Sequence, residues 1–261
     1  MTTRSFMWLG ASDYALRLLE TILVAHNDRL VYLIDAGADR YRHEIAQRFE
    51  GRLSSECILD ASMLKDRAFL AKLMNAPPHV AISAHFREIL ADDFLKIPVH
   101  GVVNVHSAFL PYNRGHWPEV WSILRGTPAG ITLHYIDNGI DTGDFVVQRE
   151  VPVALEDTCD SLAKKIEDVG IELMTDCWHK IIDGTIERIP QTQKLSLNLM
   201  CHLEDVSEIK LNATYTGAEL LNRLRALTIP RLLKGAFFID PQTGERIHVR
   251  VEMSRQINDA G

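Results

Sequence analysis

The sequence predicts a doubly wound, mostly parallel α/β sheet followed by a small C-terminal α+β subdomain. Three observations predict it: short runs apolar on both faces, helix-length segments between them, and a change of character after Pro190. Strands with two buried faces belong to parallel sheets that helices cover on both sides.

The elements follow in order. "SFMWLG" at 5–10 reads as the first strand, and Tyr14, Leu18, Leu19 and Ile22 then recur at helical spacing. "RLVYLID" (29–35) is the second strand, with helical periodicity later in Leu64, Phe69, Leu70 and Leu73. "HVAISA" (79–84) is the third, followed by a helix around 88–96, and "GVVNVH" (101–106) is the fourth. "ITLHYI" (131–136) and "FVVQREV" (145–151) are later strands, expected at an antiparallel edge. A helix over 157–182 has Asp157 or Thr158 as N-cap and one apolar stripe in Leu162, Ile166, Val169, Leu173 and Met174. Beyond Pro190 a polar stretch (191–209) leads to a short helix near 216–227. "GAFFID" and "RIHVRVEM", separated by the turn-rich "PQTGE", read as a hairpin. Residues 1–190 are therefore expected to form the main domain, and 191–261 a subdomain or dimerisation arm.

Composition narrows the function classes. At 261 residues, with 46% hydrophobic and 24% charged residues, the chain is long enough to bury a sizeable core and reads as an ordinary soluble protein. A net charge of −7 argues against a nucleic-acid partner, which would show as a basic stripe. The four cysteines, Cys57, Cys159, Cys177 and Cys201, form no CxxC pair, so neither a disulfide framework nor a zinc site is expected. No histidine or cysteine spacing suggests a metal. The N-terminal apolar run is too short for a secretory segment or a membrane span, and the expected location is cytoplasmic.

The chemistry concentrates in "NVHSAFLPYNRGHWPEVW" (104–121) and "DNGIDTGDF" (137–145). Alternate strand residues share a face, so Asn104 and His106 lie together at the carboxyl end of the fourth strand, where open α/β sheets bind ligands. The acidic loop after the next strand offers Asp137, Asp141 and Asp144. An amide donor, an imidazole and a carboxylate suit attack by an amine on a carbonyl carbon. The developing oxyanion needs fixed donors, which Asn104 and a protonated His106 supply. The amine must lose a proton, and imidazole titrates near neutrality. Asp141 orients the imidazole and assists proton removal.

"NVHSAFLPYNRG" followed by "GITLHYIDNGIDTGD" resembles the signature of the folate-dependent formyltransferases. Weaker similarity extends to "WLGASDYALRLLETI", where relatives often carry a Gly-Thr-Pro-x-Phe-Ala run, and to "PHVAISAHFREIL". The resemblance implies a catalytic set of Asn104, His106 and Asp141, with N10-formyltetrahydrofolate as co-substrate and no metal. It also implies that Ala84, Phe86, Arg87 and Ile89, with Ile136, Asp137 and the rest of the 136–141 loop, wrap the pterin largely through backbone groups.

Within that family, relatives acting on methionyl-tRNA carry a basic C-terminal domain, and purine-pathway relatives lack an arm after the core. "LPYNRGHWPEVWSILRGTPAGITLHYID" and "LLNRLRALTIPRLLKGAFFID" are similar to the nucleotide-sugar N-formyltransferases. The resemblance implies a dTDP-linked 4-amino-4,6-dideoxyhexose acceptor used in surface polysaccharide such as O-antigen, and a homodimer paired through the tail. A 3-amino sugar, a methionyl-tRNA substrate and hydrolysis of formyltetrahydrofolate are the alternatives within the chemistry. A silent binding module on a nucleotide-sugar pathway is the alternative outside it.

Each further residue carries a plainer reading. Tyr112 and Trp117 are expected to line the sugar site, Asn113 to join them, and Arg114 to meet phosphate or sugar, against a solvated loop cation. Trp121 is expected to pack in a short helix, and His116 and Glu119 to be exposed. His134 is expected to be a hydrogen-bonded structural histidine, with support of the site as the lesser reading. His85 caps a strand or touches folate, while Asp137 and Asp144 form turns.

Overall fold

The computed structural model describes residues 4–193, 195, 197–229 and 235–255. The first half alternates strand and helix: β1 (Ser5–Leu9), α1 (Asp13–Ala25), β2 (Arg29–Asp35), α2 (Arg42–Arg48), β3 (Ile58–Asp60), α3 (Arg67–Asn75), β4 (Val80–Ala84), α4 (Asp92–Leu95) and β5 (Val102–His106). Then come β6 (Arg114–Gly115), α5 (Pro118–Arg125), β7 (Ala129–Tyr135), β8 (Phe145–Val151) and the long α6 (Cys159–Ile182). The remainder holds β9 (Leu197–Asn198), α7 (Met200–Ser207), α8 (Gly217–Ala226), β10 (Phe237–Ile239) and β11 (Arg246–His248).

Seven strands form one sheet in the order β3-β2-β1-β4-β5-β7-β8. The pairs from β3 to β5 are parallel, and β7 joins β5 antiparallel. The strand order reverses between β1 and β4, the topological switch of a doubly wound sheet, whose carboxyl edge is the place for a ligand. Alternation explains the two covering layers. Met7 and Leu9 point into a cluster with Phe69, Leu73 and Phe94, and Phe6 from the opposite face meets Trp178 of α6 edge-to-face at 4.8 Å. The Trp178 indole N–H donates to Asp28 at 2.8 Å, which pairs the one polar group of that buried ring.

The chain divides into two units: Met1–His106, Thr132–Gln148 and Val169–Lys194 form one, and Ser107–Ile131, Arg149–Asp168 and Leu195–Gly261 the other. In the second unit, Arg225 of α8 donates to the carbonyls of Ala154 and Asp157, both at 2.9 Å, and so ties α8 to the approach of α6. Asp157 itself precedes α6, accepting from Ala154 N–H, the Ser161 hydroxyl and Lys165. Those donors hold its carboxyl below the usual range against a desolvation that acts the other way.

Several expectations are corrected. The helix expected around 88–96 is only α4, because Ala91 is extended and Pro98 follows soon after. The polar stretch 191–209 contains α7, whose buried face is only Leu203 and Ser207, too small for a periodic signal. It also contains β9, which pairs with β6 through two residues and has no signature of its own. The hairpin expected from 235 onward forms as antiparallel β10 and β11. Among the described residues, no helix is long and apolar enough to cross a membrane.

Candidate active site

The site grows from the register of β5 against β7. The pairing sets Asn104 opposite His134 and His106 opposite Thr132. Directly opposed residues on neighbouring strands place their side chains on the same face, so the antiparallel return of the chain adds a second imidazole beside the Asn-x-His pair.

Asp141 enters from the loop between β7 and β8. His106 Nε2 lies 3.5 Å from Asp141 Oδ2, and His134 Nε2 lies 3.5 Å from Asp141 Oδ1. One carboxylate thus faces two imidazoles, which meet edge-on with centroids 5.9 Å apart. The His106 and Asp141 side chains are 12% and 13% exposed, enough for a substrate to touch, whereas His134 is 2% exposed. At 3.5 Å the His106 contact has the loose geometry common before substrate tightens a site.

His134 also fixes the amide. Its Nδ1 lies 2.9 Å from the Tyr135 carbonyl, which only accepts, so Nδ1 carries the hydrogen. The Nε2 of the neutral ring is then an acceptor, and Asn104 Nδ2 donates to it across 3.2 Å. One amide hydrogen is held this way while the other remains to be offered to an oxygen. His134 therefore orients the proposed oxyanion donor, beyond the structural role expected of it. The signal in the sequence is its place opposite Asn104, visible only once the two strands are known to run antiparallel.

The loop that carries Asp141 is held from within. Asp137 Oδ1 accepts from the Gly139 N–H at 2.9 Å and the Thr142 hydroxyl at 2.6 Å, closing an Asx-type turn. Tyr135 N–H donates to the Asp144 carbonyl at 2.9 Å. Gly143 passes so close to β7 that a Cβ there would sit 1.9 Å from the Tyr135 carbonyl oxygen. Between these points Asp141 adopts φ +51°, left-handed backbone that costs a non-glycine residue about 1–2 kcal/mol.

Of the residues expected to wrap the pterin, those of the first loop follow the carboxyl end of β4, whereas Ile136 and Asp137 follow the antiparallel β7, with Ile136 N–H donating to the Val102 carbonyl at the amino end of β5 at 2.8 Å. Ala84 ends β4 fully buried, and the next residue, His85, is left-handed at φ +52°. His85 Nδ1 meets the Ser12 hydroxyl at 3.2 Å and its ring lies 4.9 Å from that of Tyr14. Gly10 approaches this turn so closely that a Cβ would fall 2.1 Å from the Ala84 carbonyl oxygen. Ser12 also caps α1 through Ala15 N–H, which accounts for a serine in the first loop. Phe86 and Ile136 pack against the core cluster, so their side chains brace the two loops from beneath. Arg87 is exposed, Ile89 is 87% exposed, and the Asp137 side chain is committed to its own turn.

The second unit holds the residues expected to meet the acceptor. Tyr112 and Trp117 are half-buried, and the Trp117 indole N–H points at Met200 Sδ at 3.3 Å. Asn113 is 1% exposed; its Nδ2 donates to Ser122 Oγ at 3.0 Å and Thr127 Oγ1 at 2.7 Å, while Oδ1 accepts from Arg125 at 3.4 Å. Both ends of the Asn113 amide are thus engaged within its own loop and α5. Arg114 is buried too and donates from Nη2 to the Leu195 carbonyl at 2.9 Å. Trp121 packs as expected, donating to the His116 carbonyl at 3.1 Å, with Arg125 stacked 4.3 Å from its ring. Glu119, expected on the surface, is 8% exposed, and desolvation pushes its carboxyl up to about 7.

Among the described residues, no group of three His, Cys, Asp or Glu side chains is arranged to hold a metal ion. The arrangement that does exist presents a steered amide donor, an imidazole and a carboxylate around one point, the equipment for acyl transfer to an amine without a covalent enzyme intermediate.

Comparison with known proteins agrees with that chemistry. Residues 29–177, more than half of the chain, match the formyl transferase family, and residues 202–255 match an N-formyltransferase dimerization C-terminal domain. A methionyl-tRNA formyltransferase of Thermodesulfovibrio yellowstonii is 27% identical over 224 residues, 84% of this chain and 72% of that protein. The dTDP-4-amino-4,6-dideoxyglucose formyltransferase of Mycobacterium tuberculosis is 37% identical over 149 residues, 57% of this chain and 63% of that protein. The crystal structure of a 4-N formyltransferase from Francisella tularensis superimposes with a TM-score of 0.83 at 24% identity, covering 97% of this chain and 99% of that one. Domain matches, shared fold and the Asn-His-Asp geometry converge: the chain belongs to the formyl transferase family.

Proposed function

We propose that this protein transfers a formyl group from N10-formyltetrahydrofolate to the free amine of a dTDP-linked 4-amino-4,6-dideoxyhexose, a building block of surface polysaccharide. The observation that carries the reading is the convergence of Asn104, His106 and Asp141, with imidazole and carboxylate 3.5 Å apart. The 37% identity with a mycobacterial enzyme named for that acceptor favours the sugar. Methionyl-tRNA formyltransferases match as well, but a net charge of −7 suits a small nucleotide sugar better than a polyanionic RNA.

In this reading the folate supplies the formyl group. Asn104 offers its second amide hydrogen to the formyl oxygen as the amine attacks, and protonated His106 adds a second donor to the developing oxyanion. Asp141 holds the imidazole in its charged form and receives the amine proton, directly or through water. The new C–N bond forms at the sugar, the bond to N10 breaks, and a proton returns to N10. The backbone of Ala84, Phe86, Arg87 and Ile89 and of the loop from Ile136 and Asp137 borders the pterin; Tyr112, Arg114 and Trp117 border the acceptor. The functional division is drawn near residue 190, with 1–190 catalytic and 191–261 the arm through which two subunits pair in the cytoplasm. The β10–β11 hairpin supports pairing, since Ile239 and Ile247 stay exposed on a ribbon too small to be stable alone.

The test is release of tetrahydrofolate against a panel of 3-amino and 4-amino sugar nucleotides, methionyl-tRNA and buffer alone. Turnover is expected with the dTDP-4-amino sugar. Formate release without any amine would make the protein a hydrolase, and binding without turnover a silent module.

A further inference from the structure

We propose that Gln191 is a positioning residue that sets the aim of Asp141. The inference rests on the formyl-transfer reading of the Asn104–His106–Asp141 site.

Ile189 and Phe145 form an antiparallel bridge, exchanging N–H···O bonds of 2.8 and 2.9 Å. That bridge lays the chain after α6 beside the start of β8. Two residues further on, in extended backbone, a side chain returns to the same face, and Gln191 is that residue. Its Nε2 donates to the Asp141 carbonyl at 3.2 Å and to the Gly143 carbonyl at 2.9 Å. Both hydrogens of one amide are thus used on the two residues that shape the tip of the Asp141 loop. Among the described residues Gln191 Oε1 takes no hydrogen bond, so the side chain acts here as a donor alone.

The turn around Asp137 and the contact of Gly143 with Tyr135 secure the two ends of the loop. Neither touches the Asp141 peptide, which sits in left-handed backbone at φ +51°. A small rotation there swings the carboxylate away from both imidazoles, each already at 3.5 Å. Gln191 holds the carbonyl of that same residue, so it restrains the peptide plane next to the carbon that bears the carboxylate side chain. Displacements of about 1 Å in a reacting group lower turnover by roughly 10²-fold, and a lost donor at this point is expected to cost about 10- to 100-fold in kcat.

The test uses Gln191→Leu and Gln191→Glu, alone and combined with Asp141→Asn. Gln191→Glu keeps the shape and removes the donor. Both single variants are expected to lower kcat about 10- to 100-fold with KM for either substrate within about twofold, and to add almost nothing on top of Asp141→Asn. Equal losses in the presence and absence of Asp141, or kcat within twofold of wild type, would overturn the proposal. A readout without substrate separates this outcome from failure of the formyl-transfer reading. Imidazole nitrogen NMR shifts of His106 and His134 at one fixed pH should move in Gln191→Glu in the direction they move in Asp141→Asn. Unmoved shifts in a folded Gln191→Glu protein overturn it whatever the acceptor proves to be.

Discussion

The loop after β7 holds one non-glycine residue in left-handed backbone, Asp141, and so does the loop after β5, in Asn113. Both loops are braced by a short Asx side chain. Asp137 closes the first through Gly139 and Thr142, and Asn113 closes the second through Ser122 and Thr127. They differ in what happens to the charged neighbour. Asp141 is left partly exposed, facing imidazoles, while Arg114 is buried and donates to a main-chain carbonyl. A conspicuous polar residue of a motif can therefore be the brace of its own loop.

That contrast is open to attack, beginning with the largest effect. His106→Ala is expected to lose about 10³-fold or more in kcat, and Asn104→Ala about 10²- to 10³-fold, with unfolding midpoints little changed. Steady-state kinetics beside denaturant titrations check both; losses that track stability would erase the difference between brace and catalyst.

Glu119 comes next. Its ordinary value is 4.5 and burial raises it to about 7, so between those values the folded state binds the extra proton. Stability accordingly falls as pH rises from about 4.5 to 7, by an amount on the order of 3 kcal/mol, and the full penalty persists above 7. Glu119→Gln should flatten that slope and gain most at pH 8, as read from urea midpoints at pH 5 and pH 8. An unchanged slope would mean that water reaches this carboxylate in solution. The smallest effect belongs to Asn113→Ala, expected to cost about 1–3 kcal/mol of stability while the folded fraction keeps kcat within a few-fold. An Asn104-like loss of turnover in the folded Asn113→Ala protein would make Asn113 more than a brace.

Much of this was legible in the residue order, for identifiable reasons. The strands β1, β2, β4 and β5 are buried on both faces and announce themselves as apolar runs. The three residues of β3 lie below the length at which a pattern exists. Asn104 and His106 stood out because they share a strand face, whereas β7 runs antiparallel and ends at the other edge of the sheet, so Asp141 was singled out by the resemblance of its loop and not by its place after a strand. His134 could be seen but not weighed, since its value depends on an antiparallel register. Glu119 misled because a carboxylate is seldom buried, although it sits between Pro118 and Val120 in the first turn of a short, mostly buried helix. Gln191 was invisible: its partners lie about fifty positions upstream, and only the bridge at Ile189 brings them together.

The pairing of His106 with Thr132 has an evolutionary and practical consequence. The chain leaves β5 after His106 and reaches the residue opposite it, Thr132, within β7, so the segment Ser107–Ile131 begins and ends beside one rung of the ladder. Segments rooted that way can lengthen, shorten or be exchanged with little entropic penalty. A graft between these two anchor points is expected to leave Asn104, His106 and His134 in register.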